Sequence, residues 1–435
     1  MSRILAYTSP GRGHLYPIIP ILDELRRRGH EISLRTLESE VPLALSRGFR
    51  AAAISPNIEA IEHDDWRARN PRAALIHAMQ IFAARAKHEV PDLQKAIAEE
   101  RPDALLIDIN CWGALAAAEA WGGRWSSFCP YPLPLSSPDA PPFGPGLRPA
   151  RGSLGRMRDR LMRPLVTGVF ERAMLPPLNL VRRGIGLAPF ADADEMFRRP
   201  ELLIYMTAEP FEYPRRDWPA NVVMVGPCEW EPPSEVPAWV AAIKEPIVLI
   251  TTSSEFQNDG RLVEAALQAL ADEPVSVVAT LPAGDLAQFH VPANARVERF
   301  VPHRPLLDRA VCAVTHAGMG ATQKALSRGV PVCAVPFGRD QLEVARRVEI
   351  ADAGTRLPAK RLNAERLRDK VREAMTKTAG AARIAAAFKA AGGPTAAADV
   401  FEARLLATNA SHIGAGFRDT RRVTAGSQNP GTEWH

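Results

Sequence analysis

"CAVTHAGMGATQKALSRGVPVCAVPFGRDQ" occupies residues 312–341. Its first apolar run, Cys312–Thr315, is short and unbroken, as in a strand buried on both faces. A glycine-rich turn follows, then a helical stretch from about Met319, then a second apolar run, Val332–Val335. Strand, turn, helix and strand within so few residues predict a parallel pair joined by a crossover helix. His316 stands at the carboxyl end of the first strand, where Gly318 and Gly320, with Ala321 after them, let a ligand approach the backbone. The unpaired N–H groups and positive dipole end of the next helix point to the same place. That is an anion site suited to a diphosphate, and His316 can add a donor. Asp340 and Gln341 stand just past the second strand. A carboxylate beside an amide can both accept from and donate to sugar hydroxyls, although Asp340 could equally cap a helix.

The same alternation extends in both directions. Strands are expected at Ile247–Thr251, Val275–Thr280 and Ala295–Arg299, with later helices at Ala364–Thr376 and Ala381–Ala391. In the first half they are expected at Arg3–Thr8, Glu31–Thr36, Ala104–Ile107, Trp125–Phe128 and Leu202–Met206. Helices there are expected at Tyr16–Arg28, Ala73–Glu99, Cys111–Trp121 and roughly Leu154–Arg183. Two proline-rich stretches interrupt the pattern. Pro130–Pro149 cannot be regular structure, and 213–237 reads as a linker. The expected organisation is α/β, with two facing Rossmann-like parallel-sheet domains at 1–212 and 238–394. A C-terminal helix at 395–410 and a disordered tail at 411–435 complete it. Ligands of such sheets bind outside the strands' carboxyl ends, so a cleft between the halves is the expected site.

Composition narrows the function. At 435 residues the chain is too long for one ordinary core. With 46% hydrophobic and 24% charged residues it reads as a soluble globular protein. It shows neither an apolar run long enough to span a membrane nor a signal-peptide pattern, so a cytoplasmic location is expected. The net charge of +5 is scattered, with arginines gathered at Arg26–Arg28 and Arg148–Arg163. No nucleic-acid-binding motif accompanies it, which leaves solvated surface, an anionic substrate or peripheral contact with a lipid surface. The five cysteines are far apart and form no CxxC, so buried free thiols are expected rather than zinc or disulfides. The acidic run "EHDDW", Glu62–Trp66, reads as solvated loop charge.

Together "ERFVPHRPLLDRAVCAVTHAGMGATQKALSRGVPVCAVPFGRDQ" (298–341) resembles the signature of nucleotide-sugar-dependent glycosyltransferases of GT-B fold. It is most similar to the inverting branch that glycosylates small molecules and macrolides. The resemblance runs to about residue 408. It implies an N-terminal acceptor domain, a C-terminal donor domain, and a UDP- or dTDP-sugar donor as co-substrate. It also implies a small hydrophobic acceptor and no metal, since no D-x-D stands at a strand end of the second half. In "FVPHRPLL", Phe300 matches the position that stacks on the base, and Val301 the position that contacts the base edge through its backbone. In "TTSSEFQ", Ser253 and Ser254 match the loop that reaches the diphosphate. "GRGHLYP" matches the family's N-terminal G-H-x-x-P, which implies that His14 is the general base. Asp108, in "DALLIDINCWG", matches the aspartate that steadies it. A neutral imidazole at a helix N-terminus suits that role.

The chain departs from the pattern at Lys324, where the plant-type signature carries a glutamate for the ribose hydroxyls. A lysine cannot accept those bonds. Gln323 would have to substitute, or a dTDP-linked deoxyribose would need less from this position. A dinucleotide fingerprint in the first loop would need glycine where Tyr16 stands. A sugar-nucleotide epimerase and a non-catalytic sugar-nucleotide-binding helper share the architecture, but neither needs His14 paired with Asp108.

Overall fold

The computed structural model describes residues 1–254, 257 and 259–407. The expected tail at 411–435 lies outside the described residues. Strands β1 (Arg3–Tyr7), β2 (Glu31–Thr36), β3 (Arg50–Ala53), β4 (Ala104–Asp108), β5 (Arg124–Cys129), β6 (Leu202–Tyr205) and β7 (Val222–Met224) form one parallel sheet, ordered β3-β2-β1-β4-β5-β6-β7. Strands β8 (Ile247–Thr251), β9 (Ser276–Thr280), β10 (Ala295–Glu298), β11 (Ala310–Thr315), β12 (Val332–Ala334) and β13 (Gly354–Arg356) form a second, ordered β10-β9-β8-β11-β12-β13. Strands β4 and β8 at the sheet centres are buried along their whole length, which their continuous apolar runs require. The α/β architecture with two parallel sheets is therefore the one expected.

The edge strands β3 and β13 escaped sequence reading because each is short and borders glycine or alanine. The stretch 213–237 is only partly a connector. Its "NVVMV" adds β7 to the first sheet, with Leu203 beside Val222. Proline density on both sides hid it.

Among the helices, α1 (Arg12–Arg27) begins earlier than the expected Tyr16, because glycine and arginine accept the first turn ahead of Pro17. Long helices α2 (Pro71–Glu100) and α4 (Gly152–Gly184) cover one face of the first sheet together with α3 (Trp112–Trp121). In the second half, α5 (His303–Leu307), α6 (Met319–Leu326) and α7 (Gln341–Ile350) flank β11 and β12. The last helix, α8 (Gly393–Phe401), runs into a π turn at Glu402–Leu406 and returns to the first domain. There Phe401 joins the α1 core, and Glu402 accepts from Arg28 at 2.6 Å and meets His30 at 2.8 Å. All five cysteines are free and buried. No helix among the described residues is long and apolar enough to cross a membrane.

The proline-rich segment after β5 bridges the two halves. The amides of Gly144 and Gly146 both donate to Glu343 Oε1 on α7 at 2.8 Å. Gly146 has φ +60°, and a Cβ there would fall 2.4 Å from the Leu342 carbonyl oxygen, so only glycine allows this approach. Beneath it, the fully buried Arg347 joins Glu343 (3.1 Å) to Glu212 (2.8 Å), across the domain boundary.

Candidate active site

In each sheet the strand order reverses at one place, between β1 and β4 in the first and between β8 and β11 in the second. Crevices open at such points beyond the carboxyl ends of the strands. Both groups of residues singled out from the sequence stand there.

In the first domain the chain leaves β1 through Thr8–Gly11 and enters α1, which puts His14 in the helix's first turn. Asp108 closes β4 alongside and is fully buried. Its Oδ1 lies 3.0 Å from His14 Nδ1, and its Oδ2 accepts from the Ser9 amide (3.0 Å) and hydroxyl (2.6 Å). The Asn110 amide N–H adds a bond to Oδ1 at 3.0 Å. Burial pushes the Asp108 carboxyl up, but the attraction of His14 and these hydrogen bonds outweigh it and hold the pKa below the ordinary value. Asp108 is thus a carboxylate at neutral pH and can only accept.

His14 Nε2 faces the Asn110 side-chain nitrogen at 3.2 Å, and Asn110 Oδ1 accepts from the Tyr131 hydroxyl at 2.7 Å. These partners select one proton arrangement for the neutral ring. Nδ1 carries hydrogen toward Asp108, and Nε2 presents its lone pair to the Asn110 amide. Tyr131 also stands edge-on to the imidazole, with ring centroids 5.7 Å apart. Neither Asn110 nor Tyr131 stood out in the sequence. "DIN" and "CPYP" carry no signature, and only the fold folds them back over His14.

In the second domain β11 ends at Thr315 and His316 follows, largely buried. A Cβ on Gly318 would fall 2.3 Å from His316 Nε2, so any larger residue would have to displace that ring. Gly318 caps α6 without a side-chain bond, leaving the helix's first amides open, and nothing would crowd a Cβ at Gly320. Ala321 lies half-buried in the first turn. Burial lowers the His316 pKa, so the ring is neutral, and its Nδ1 has no hydrogen-bond partner among the described residues. Ser253 and Ser254 follow β8. Ser253 is buried, with its amide on Asp259 Oδ2 at 2.7 Å and its hydroxyl accepting from Gln257 at 2.8 Å, whereas Ser254 is exposed. Phe300 is 48% exposed and its neighbour Val301 is buried.

Asp340 holds the N-cap position of α7 but makes no capping bond. Burial raises its pKa against the pull of its own backbone amide and of Arg339, with a smaller pull from His14 of the other domain when that ring is protonated. Gln341 is buried. It accepts from the amides of Phe337 (2.8 Å) and Gly338 (3.1 Å) and donates to Gln257 at 2.7 Å. Its side chain therefore braces the loop.

Arg339 has φ +52° and forks onto Asp65 of the first domain, with Nη2 at 2.6 Å from Oδ1. The "EHDDW" run is accordingly not all solvated, since Asp65 is buried in this pair. Arg339 also lowers the pKa of both His316 and His63, and His63 falls to about 3, chiefly through burial. His14 adds to the His63 shift. The residues at the two crevices thus share one electrostatic space.

Gln323, the candidate substitute for the missing glutamate, is buried and donates to the Met206 carbonyl at 2.7 Å. Lys324 instead lies 3.6 Å from Glu231, which comes from the connector. Glu231 also accepts from the amides of His303 and Arg304 at 3.1 Å each, beside the Phe300–Val301 corner. Burial lowers the Lys324 pKa against the pull of Glu231 and Glu229. Burial would raise Glu231, but Lys324 and the two amides bring it below the ordinary value.

Comparison with known proteins gives the class to which this two-sheet arrangement belongs. Residues 264–403 match the family model for the erythromycin biosynthesis protein CIII-like C-terminal domain. The chain is 32% identical over 389 residues to 4'-demethylrebeccamycin synthase of Lentzea aerocolonigenes, spanning 85% of this chain and 91% of that one. The crystal structure of the kitacinnamycin glycosyltransferase superposes with TM-score 0.71 at 22% identity, over 93% of this chain and 98% of that one. The glycosyltransferase VinC, solved with dTDP, superposes with TM-score 0.67 at 21% identity, over 93% and 99%. The chain belongs to the erythromycin CIII-like family of GT-B glycosyltransferases and is a glycosyltransferase.

Proposed function

We propose that the protein transfers a sugar from a dTDP- or UDP-sugar to a hydroxyl of a small natural product, with inversion at the anomeric carbon. The observation that carries this reading is the carboxylate-held imidazole at one switch point, set across from an open glycine loop and helix N-terminus at the other. His14 Nε2 takes the proton from the acceptor hydroxyl. The oxygen attacks the anomeric carbon from that side, and the bond to the diphosphate breaks on the opposite side. The α6 amides and His316 hold the departing diphosphate, with Ser254 within the same loop system. Phe300 and Val301 receive the base, and Asp340 faces the sugar hydroxyls.

The acceptor fits a cavity of about 390 Å³ beside Pro10, lined among others by Leu37, Glu59, His63, Trp66 and Arg85. Its walls mix apolar surface with charge, so the acceptor pairs an apolar body with polar substituents rather than being wholly hydrophobic. The loop after β5 contributes Tyr131 near His14 and reaches α7 through Gly144.

Incubation with UDP- and TDP-glucose and a panel of phenols and macrolactones tests the reading. A glycoside whose anomeric proton coupling shows inversion is expected. Altered free sugar would indicate an epimerase, and binding without turnover a helper. Replacing His316 by alanine should weaken nucleotide binding about fivefold, the loss of one hydrogen bond. Unchanged calorimetric affinity would remove His316 from the diphosphate site.

Lys324 favours dTDP over UDP in this reading. Two acceptor sites of Glu231 are taken by amides and a third faces the lysine, so little capacity remains for a ribose diol. Among uridine, 2'-deoxyuridine, 5-methyluridine and thymidine diphosphates, the two deoxy forms should bind about fivefold tighter than their ribose counterparts. Affinities that follow the methyl group and ignore the 2'-hydroxyl would overturn this.

A further inference from the structure

The arginine-rich stretch 148–165 is not used by the transfer reaction, and the structure gives it a shape. It forms the first half of α4 and the turn before it. Leu154 (76% exposed), Met157 (55%), Leu161 (64%) and Leu165 (64%) all face outward. Their spacing of three, four and four residues puts them in one row along the helix, about three turns long. Isolated exposed leucines need no explanation, but four long apolar side chains in register do.

The charge around the row is of one sign. Residues 148–165 hold six arginines and a single acid, Asp159. Asp159 is buried and paired with Arg158, and Arg148 pairs with Glu349. Arg163 donates to the Ala140 carbonyl at 3.1 Å. Arg151, Arg156 and Arg160 are exposed and enter no ion pair among the described residues. An outward row of leucine and methionine bordered by uncommitted arginines is the pattern of a helix lying in a membrane interface.

We propose that this face of α4 docks on an anionic phospholipid surface, with the apolar row entering the acyl boundary and Arg151, Arg156 and Arg160 meeting the headgroup phosphates. A second copy of the chain is disfavoured as occupant, because a two-fold contact through this row would set its arginines against their own kind. Each arginine near such a surface multiplies the partition coefficient about fivefold, and three together about a hundredfold. The inference is independent of how the sugar is transferred.

Co-sedimentation of the full chain with two kinds of vesicle tests it, one of phosphatidylcholine alone and one with a quarter phosphatidylglycerol. Pelleting is expected with the anionic vesicles, weakening as salt rises. The pair Arg156→Gln and Arg160→Gln should lower anionic partition about 25-fold. Met157→Ser with Leu161→Ser should lower it as well, at unchanged charge. Both variants should keep the wild-type melting temperature and turnover of a water-soluble acceptor. Absence of pelleting, equal pelleting with neutral vesicles, or wild-type partition in the variants would overturn the proposal. So would a solution mass of a dimer that Leu161→Ser converts to monomer, which would give the row to a second copy.

Discussion

Replacing His14 with alanine is expected to cut kcat about a thousandfold while leaving the dissociation constant for nucleoside diphosphate within about twofold. General-base removal costs two to four decades, about 10²–10⁴, when the base acts in the rate-limiting step. The proposed donor groups all lie on the other sheet, so donor affinity should not follow. The split between turnover and affinity separates a base from a residue that merely supports the fold. Asp108→Asn should approach the same loss by a different route. An amide in place of the carboxylate can turn its NH₂ toward Nδ1, which moves the ring proton to Nε2 and removes the lone pair that accepts the acceptor's proton. Single-turnover rates at saturating donor, alongside calorimetry with the nucleotide, give both quantities. Equal loss of turnover and donor affinity in His14→Ala would sink the assignment.

The distance between sequence and site differs from element to element. β8 and β11 could be read because both faces of each are buried, which leaves an unbroken apolar run. The turn after β11 could be read because Gly318 leaves room for the His316 ring, and such close approaches leave visible glycines. His14 and Asp108 stand 94 positions apart, yet each sits at the end of a legible strand, so placing the strands places the pair. Tyr131 and Glu231 could not be found in this way. Both come from proline-rich connectors, whose paths depend on what they cross rather than on any period of their own. Arg339 and Asp65 were hidden for a similar reason. A charge pair between two domains leaves no local trace, and Asp65 in isolation looks like any acid on a loop. Gln341 is the opposite case. It stood in a recognisable motif, but burial committed its amide to Phe337, Gly338 and Gln257.

Asn110 offers the sharpest test of the proton path. Its NH₂ meets His14 Nε2, the atom that takes the acceptor's proton in the proposed mechanism. On that proposal the acceptor hydroxyl displaces Asn110 at this atom, and Asn110 is a positioning residue that keeps the ring proton off Nε2 until then. Changing it to aspartate is nearly isosteric but reverses the chemistry. A carboxylate cannot donate to Nε2, and it favours a protonated ring lying between two carboxylates. The imidazole pKa rises, so at a given pH less of the base is neutral. Activity is then lost at neutral pH and recovered as pH climbs through the raised pKa. At pH 7 kcat/KM should fall about tenfold, and the acidic limb of its profile should move up by about one pH unit, which corresponds to about 1.4 kcal/mol of added stabilisation of the charged ring. Asn110→Ala should lower kcat by only a few-fold and leave the limb where it is, because nothing negative has been added. Tyr131→Phe, which frees the Asn110 carbonyl oxygen, should behave like the alanine variant. A residue that only packed would lower the rate at every pH alike. A profile of Asn110→Asp that superimposes on wild type after scaling would show that this contact does not govern the base.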